Sequence, residues 1–139
     1  MDELPANLKR PEGVTDATVK AVGAVTEALE TTIRARGALY EFHQLTGKGD
    51  QEIKEAITLL REAGHPELAD ELETKILGRN ALDRRWTFQI VEDYDGTYFR
   101  PFEAAEKSIR QALLDGRRHQ LEAEMKADEQ TPGEPGHGS

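Results

Sequence analysis

The sequence predicts an all-α protein, a helical bundle of about four to five helices with a long first helix and a short helical hairpin. Apolar residues recur with a period of 3.6 residues along most of the chain. Glycine and proline stand between the periodic segments, where helices begin and end. The best strand candidate, the β-branched and aromatic residues of 86–91, belongs to a longer stretch with helical spacing. Together these features favour helices over strands throughout.

The first helix is predicted from about Asp16 to Leu45. Thr15 or Asp16 can cap it, because short polar side chains accept hydrogen bonds from the free amides of a first turn. Gly47 and Gly49 are expected to end it. One face carries a regular apolar stripe, composed of Val22, Val25, Leu29, Ile33 and Tyr40.

A short helical hairpin is predicted next. Its first helix begins at Asp50, and Gly64-His65-Pro66 forms the turn, since glycine suits a helix end and proline suits a first helical turn. Its second helix closes near Gly78. The expected inner residues are Ile53, Ala56, Ile57 and Leu60 in the first helix and Leu68, Leu72 and Ile76 in the second.

Two further helices are predicted to pack against the first. The fourth covers roughly Ala81 to Tyr98, and Pro101 kinks or restarts the chain. Its expected inner stripe continues into the fifth helix and comprises Phe88, Val91, Asp95, Tyr98 and Phe102. The fifth also presents Ala105, Ile109, Ala112 and Leu113. Because Leu121 and Met125 change phase after Gly116, the last part can leave the bundle and dock on a neighbour.

The expected organisation is an extended N-terminal arm at 1–14, a single bundle domain at 15–128 and a disordered tail at 129–139. The arm contains Pro5, Pro11 and Gly13 without sustained periodicity. In the tail, proline and glycine recur every second or third residue from Pro132 onward, which is incompatible with a helix.

The amino-acid composition excludes several classes of function. The 139 residues carry a formal net charge of −9 and no cysteine, which excludes disulfides, thiolate metal sites and a thiol nucleophile. The acidic balance argues against nucleic acid as a partner. We expect no membrane span and no signal segment, hence a cytoplasmic protein. Phosphate-loop, serine-elbow and zinc-protease motifs do not occur, so no catalytic residue and no cofactor are predicted.

Polar residues interrupt the predicted inner stripes of two helices. Arg36 and His43 lie on the stripe of the first helix, and Asp95 lies on that of the fourth. The favoured interpretation is a structural ion pair between Arg36 and Asp95, since either charge alone would be costly to bury. The alternative is a small-molecule pocket between helices, in which Arg36 grips a ligand carboxylate or phosphate. Its candidate lining is Arg36, Tyr40, His43, Asp95 and Tyr98.

Metal binding has weaker support. The Glu-x-x-His at Glu62 to His65 places its histidine in the turn before Pro66 rather than on a helix face. No metal ligand is therefore assigned. A site assembled across helices stays open as an alternative, with Glu30, His43, Asp93 or Asp95, and His119 as ligands.

Leu82, Trp86 and Ile90 form a second apolar line on the predicted fourth helix. Either the helical hairpin covers this line within one chain, or a second chain does. Aromatic anchors are typical of protein interfaces, and a small bundle often gains a sufficient core by dimerising. We take these three residues as interface candidates in a homodimer.

Three segments of the second half of the chain resemble a small actinobacterial family of conserved proteins. They are Trp86–Phe102 (WTFQIVEDYDGTYFRPF), Gly116–His119 (GRRH) and Thr131–His137 (TPGEPGH). The resemblance implies a bacterial, cytoplasmic setting. It implies no activity, cofactor or catalytic residue.

Two functional hypotheses follow. The first is a non-catalytic, homodimeric helical module that binds a protein partner. The second is a bundle that binds a small molecule or metal, and that could be an enzyme, through the polar residues around Arg36, His43 and Asp95.

Overall fold

A computed structural model describes residues 9–138 of the chain. We label its helices α1 to α5, with one π-helical segment, π1, between α3 and α4. Their bounds are α1 Asp16–Glu62, α2 Pro66–Lys75, α3 Thr87–Tyr94, π1 Asp95–Phe99, α4 Arg100–Leu114 and α5 Gln120–Glu129. Since α3, π1 and α4 follow one another without a break, the described chain forms four continuous helical segments. Its one β-type pairing is an isolated bridge between Leu82 and Arg85.

The predicted fold class, an all-α bundle with a long first helix, is confirmed. Contacts group the described residues into two compact units, unit 1 with residues 9–32 and 100–138 and unit 2 with residues 33–99. The predicted division into arm, single domain and tail stays a prediction, and residues 1–8 and 139 lie outside the described chain.

Helix α1 is longer than predicted. The sequence predicts an end near Gly47 and Gly49 and a new helix at Asp50, but α1 runs on to Glu62. Its start is as predicted, because the Thr18 amide donates to Thr15 Oγ1 at 3.2 Å. A mid-helix glycine costs only about 1 kcal/mol of helix stability relative to alanine. The packing of the following turns, which include the buried side chain of Ile57, stabilises the helix by more than this cost.

The predicted fourth helix begins later and changes phase. Residues 79–86 lie outside the helices and contain one turn, at 83–84. Helix α3 starts at Thr87, and the Gln89 side chain accepts a hydrogen bond from the Trp86 amide at 2.9 Å. Pro101 has no N–H, and its ring would clash with the carbonyl four residues earlier in a regular helix. The wider turns of π1 end two residues before Pro101 and include Thr97, the residue whose carbonyl the ring would otherwise meet.

One consequence of π1 is a shift of the buried stripe by one residue. The predicted inner Tyr98 is 52% exposed, whereas its neighbour Phe99 is 4% exposed. The predicted inner Phe88 lies in α3, before π1, and its exposure of 48% is independent of this shift. Helical spacing alone could not show this shift, because it assumes 3.6 residues per turn throughout.

The core of unit 1 joins the start of α1 to the end of α4. Val19, Val22 and Leu114 form its buried cluster. The predicted inner face of α4 is wrong: Ile109 and Leu113 are 40% and 43% exposed, and Ala105 and Ala112 are exposed as well. The buried side chains of α4 are Glu106 and Leu114.

In unit 2 the end of α1 and helix α2 form the predicted hairpin. Gly64 adopts a left-handed φ of +87° at the turn, and Pro66 opens α2. Arg61 donates to Asp70 at 2.7 Å and to Glu73 at 2.5 Å. The buried residue of α2 is Ala69, so the prediction that Leu68 and Ile76 are inner residues is wrong, with exposures of 55% and 45%. Ile33 of α1, also expected inside, is 49% exposed.

Helix α5 belongs to unit 1 and is held to the segment that precedes α1. Arg10 binds Asp16 at 2.7 Å and also contacts the carboxylate of Glu124. After α5, residues 131–137 form local turns in which the Thr131 amide donates to His137 Nδ1. Within residues 9–138, no helix has the length and apolar character needed to cross a membrane.

Candidate functional site

The centre of the candidate site is an ion pair between Arg36 of α1 and Asp95 at the start of π1. Arg36 Nε donates to Asp95 Oδ1 at 2.7 Å, and Nη2 donates to Oδ2 at 3.0 Å. Two parallel bonds between a guanidinium and a carboxylate fix the orientation of both groups. The side chains are 28% and 21% exposed, so the pair is partly buried rather than enclosed in a dry core.

Aromatic rings surround the Arg36 guanidinium. Its central carbon lies 4.7 Å from the ring centroid of Tyr40 and 5.0 Å from that of Phe99. Arg36 Nη2 also donates to the Tyr40 hydroxyl at 3.1 Å. Guanidinium groups stack favourably on aromatic faces, so the rings and the carboxylate hold the same side chain in place. The guanidinium thus has its carboxylate partner within the chain.

His43 lies two turns further along the same face of α1 and makes a separate contact. Its Nδ1 and the hydroxyl oxygen of Thr87 share a hydrogen bond of 2.6 Å. Thr87 is the first residue of α3 and is 6% exposed. The bond therefore joins the middle of α1 to the beginning of α3.

The structure brings together part of the predicted pocket lining. Arg36 contacts both Tyr40 and Asp95, and His43 bonds to Thr87 on the helix that leads to Asp95. Tyr98 is instead half-exposed, with its ring centroid 5.6 Å from that of Tyr94. Phe99, which was not predicted, occupies the position beside Arg36. The roles of the five residues as ligand contacts stay predictions.

A second buried polar cluster, in unit 1, was missed by the sequence analysis. Glu106 is 5% exposed, and its Oε1 accepts hydrogen bonds from Thr26 Oγ1 and Arg110 Nε, both at 3.0 Å. The signal was present: Glu106 lies one turn after Phe102 on the stripe predicted to be apolar. The rule that singled out Arg36 and Asp95 would have found it.

The pKa of Glu106 reflects opposing effects. Burial raises it, because desolvation disfavours the charged form, but the hydrogen bonds from Arg110 and Thr26 lower it. The positive charges of Arg110 and Arg118 act in the same direction as these bonds. The net result is a pKa below the ordinary value, so Glu106 is held as a carboxylate.

Cavities also lie elsewhere in the described part of the chain, among them one in each unit. One, of about 360 Å³, is in unit 1 and includes Val19, Thr26, Glu30, Leu114 and Arg117 in its lining. A buried guanidinium nitrogen of Arg117, Nη1, has no hydrogen-bond partner among the described residues. The other, of about 420 Å³, is formed by residues 79–84 in unit 2.

The predicted interface residues do not form a helical line. Leu82 lies in the turn before α3 and Trp86 is the residue preceding its first turn, so only Ile90 lies within a helix. Leu82 and Trp86 are 56% and 49% exposed, and Ile90 is half-buried. Phe88 is similarly exposed beside them. Their role in an interface stays a prediction.

Among the described residues, no three histidine, cysteine, aspartate or glutamate side chains come close enough together to hold a metal ion. Two of the predicted ligands lie near each other, with His119 Nδ1 at 4.0 Å from a carboxylate oxygen of Glu30.

Comparison with known proteins gives no relative: no protein-family model, no curated protein and no solved structure matches the chain.

Proposed function

We propose that the protein is a non-catalytic, homodimeric helical module that binds a protein partner. The observation that carries the proposal is the exposure of large apolar side chains in each unit. In unit 1 these include Ile109, Leu113 and Met125, exposed by 40% to 49%. In unit 2 they include Phe42, Leu45, Leu59, Leu82, Trp86 and Phe88, exposed by 46% to 58%. Single exposed apolar residues are ordinary, but groups of them are typical of interaction surfaces.

The surface around Trp86 supports the binding of a partner. Leu82, Trp86 and Phe88 expose about half of their area within seven residues of one another. Arg79 and Arg84 are exposed in the same segment. Aromatic and arginine side chains are enriched where proteins bind each other. A fitting partner would present apolar side chains accompanied by carboxylates.

The proposal also covers the cellular location and the source of the protein, which we propose to be the cytoplasm of an actinobacterium. The support for this is the resemblance of Trp86–Phe102 and the two shorter segments to an actinobacterial family. An acidic surface, with a formal net charge of −9, favours a protein partner over nucleic acid.

A second candidate function is the binding of a small molecule, and a specific cavity favours it. The cavity of about 360 Å³ in unit 1 falls in the size range of ligand sites. The Arg36 site supports this function less well, because Asp95 and Tyr40 already accept hydrogen bonds from the guanidinium.

Native mass spectrometry of the purified protein over a concentration series tests both candidates. A species of twice the 15.5 kDa chain mass that grows with concentration is expected for the homodimer. A monomer at every concentration would contradict it. An additional stoichiometric mass that disappears on denaturation would favour the small-molecule candidate instead.

A further inference from the structure

The part of α1 in unit 2 has a largely apolar face that its own unit leaves uncovered. We call it the outward seam, and it consists of Ala35, Ala38, Phe42, Leu45, Gly49 and Glu52. All six are exposed, Phe42 by 46% and Leu45 by 58%. They follow one another at alternating spacings of three and four residues, which is the heptad pattern of coiled coils. Phe42 lies about 200° around the helix from Tyr40, away from the side that carries the Arg36 contacts.

We propose that the outward seam binds the same seam of a second copy, with the two α1 helices antiparallel. The inference rests on the proposed function, since it names the surface through which the homodimer forms. The occupant is a second copy because the seam is complementary to itself in both size and charge when one helix is reversed.

The largest side chains set the register. A two-fold axis between residues 43 and 44 places Phe42 opposite the partner's Leu45. By symmetry, Leu45 lies opposite the partner's Phe42, and the two pairs are adjacent. This arrangement concentrates the apolar area at the centre of the contact, where burial contributes most to association. One step further along, Ala38 comes opposite the partner's Gly49. Two such small residues allow the helix backbones to approach closely.

Flanking charges then match without further adjustment. In an antiparallel pair, residues that precede the first seam position of each heptad face one another across the contact. In this register Glu41 faces the partner's Lys48, and Arg34 faces the partner's Glu55, each pair occurring twice by symmetry. A shift of one heptad toward the N-terminus would instead bring Glu41 against the partner's Glu41 and Arg34 against the partner's Lys48.

A parallel pairing is disfavoured by Glu52. In parallel coiled coils each seam position meets its own copy, so two Glu52 carboxylates would meet within the seam. Antiparallel pairing puts Glu52 opposite the partner's Ala35, where the carboxylate can reach solvent. Charge thus selects the orientation as well as the register.

Charge reversal tests the register. Glu41→Lys alone and Lys48→Glu alone each turn two attractive pairs into repulsive ones and are expected to raise the dimer dissociation constant about tenfold. The double variant restores attraction and is expected to return the constant to about the wild-type value. Both side chains are exposed, so the fold of each variant, checked by circular dichroism, should be unchanged. Sedimentation equilibrium measures the constants.

Disulfide trapping tests the orientation, and the absence of native cysteine makes it clean. Ala38→Cys protein mixed with Gly49→Cys protein and oxidised should give a cross-linked heterodimer. Either variant oxidised alone should stay monomeric on a denaturing gel, whereas a parallel dimer would cross-link each variant to itself. Mixed cross-linking therefore supports the inference, and self-cross-linking overturns it.

The outcomes separate this inference from the function on which it rests. If the wild-type chain is monomeric at all concentrations, the proposed homodimer fails. If the wild-type chain dimerises but neither the charge reversals nor Phe42→Ser changes the dimer dissociation constant, the homodimer is supported and its formation through the outward seam is contradicted. In that case Trp86→Ala should dissociate the dimer, since the surface around Trp86 would then join the copies.

Discussion

Arg36 and Asp95, 59 positions apart in the sequence, share two parallel hydrogen bonds between α1 and the first residue of π1. Asp95 thus fixes the π-helical segment against the long helix at the point where the buried stripe changes phase. The contact accounts for a charged residue on each of two otherwise apolar faces.

Replacement of Asp95 by asparagine is expected to lower the free energy of unfolding by about 1 to 2 kcal/mol. The amide keeps the size of the side chain but removes the charge and one acceptor from Arg36, and partial exposure limits the loss. Urea unfolding followed by circular dichroism measures the change. Asp93→Asn is the matched control, because Asp93 pairs with Arg85 at 3.0 Å on an exposed surface, where such pairs contribute little. Equal effects of the two variants would contradict a structural role for the Arg36–Asp95 pair.

Glu106 should make stability depend on acidic pH. Its pKa in the folded protein lies below the ordinary value of 4.5, so its contribution is fully present above pH 4.5 and is lost as the pH falls through the folded pKa. Glu106→Gln should lower the free energy of unfolding at neutral pH by about 1 to 3 kcal/mol and should flatten its decline on acidification.

Denaturant unfolding at a series of pH values measures both effects. Some decline should persist in Glu106→Gln, because the hydrogen bond from Arg10 also lowers the pKa of Glu124. Glu103→Gln, which removes an exposed carboxylate of the same helix, is the matched control for the loss of one negative charge. A wild-type profile in Glu106→Gln would show that the buried carboxylate does not titrate as inferred.

The continuity of α1 through its two central glycines has its own test. Nothing lies within 4 Å of the position that a Cβ would take at Gly47 or Gly49, and neither has a positive φ. Each substitution by alanine should therefore raise the free energy of unfolding by about 0.5 to 1 kcal/mol, measured at concentrations where the chain is monomeric. Gly64→Ala, at a φ of +87°, should do the reverse. Destabilisation by all three would indicate that residues 47–49 form a turn, as the sequence alone predicts.

Sequence periodicity predicts the helical class and the pairing of Arg36 with Asp95, because both depend on which residues share a face of a regular helix. It fails where the helix departs from regularity. π1 moves burial from Tyr98 to Phe99, and no local pattern marks that change apart from Pro101 two residues later. Gly47 and Gly49 have the opposite effect, because they predict a break where the helix is regular. The low helix propensity of glycine contributes less free energy than tertiary packing does.

Exposure was the harder property to predict. An apolar stripe such as Phe42 with Leu45, or Ile109 with Leu113, indicates a surface that needs covering but not what covers it. Within one chain these residues stay half-exposed. Glu106 shows that the buried face of α4 is partly polar, which a search for apolar residues overlooks.

Trp86 is the single tryptophan of the chain and is about half exposed beside the first turn of α3. Its indole fluorescence consequently originates at one known place on the surface, while the outward seam contains no indole. Burial of Trp86 by a partner should shift its emission to shorter wavelength and shield it from iodide quenching. Self-association through the outward seam of α1 should leave the emission spectrum unchanged. The fluorescence of Trp86 therefore distinguishes partner binding from dimerisation.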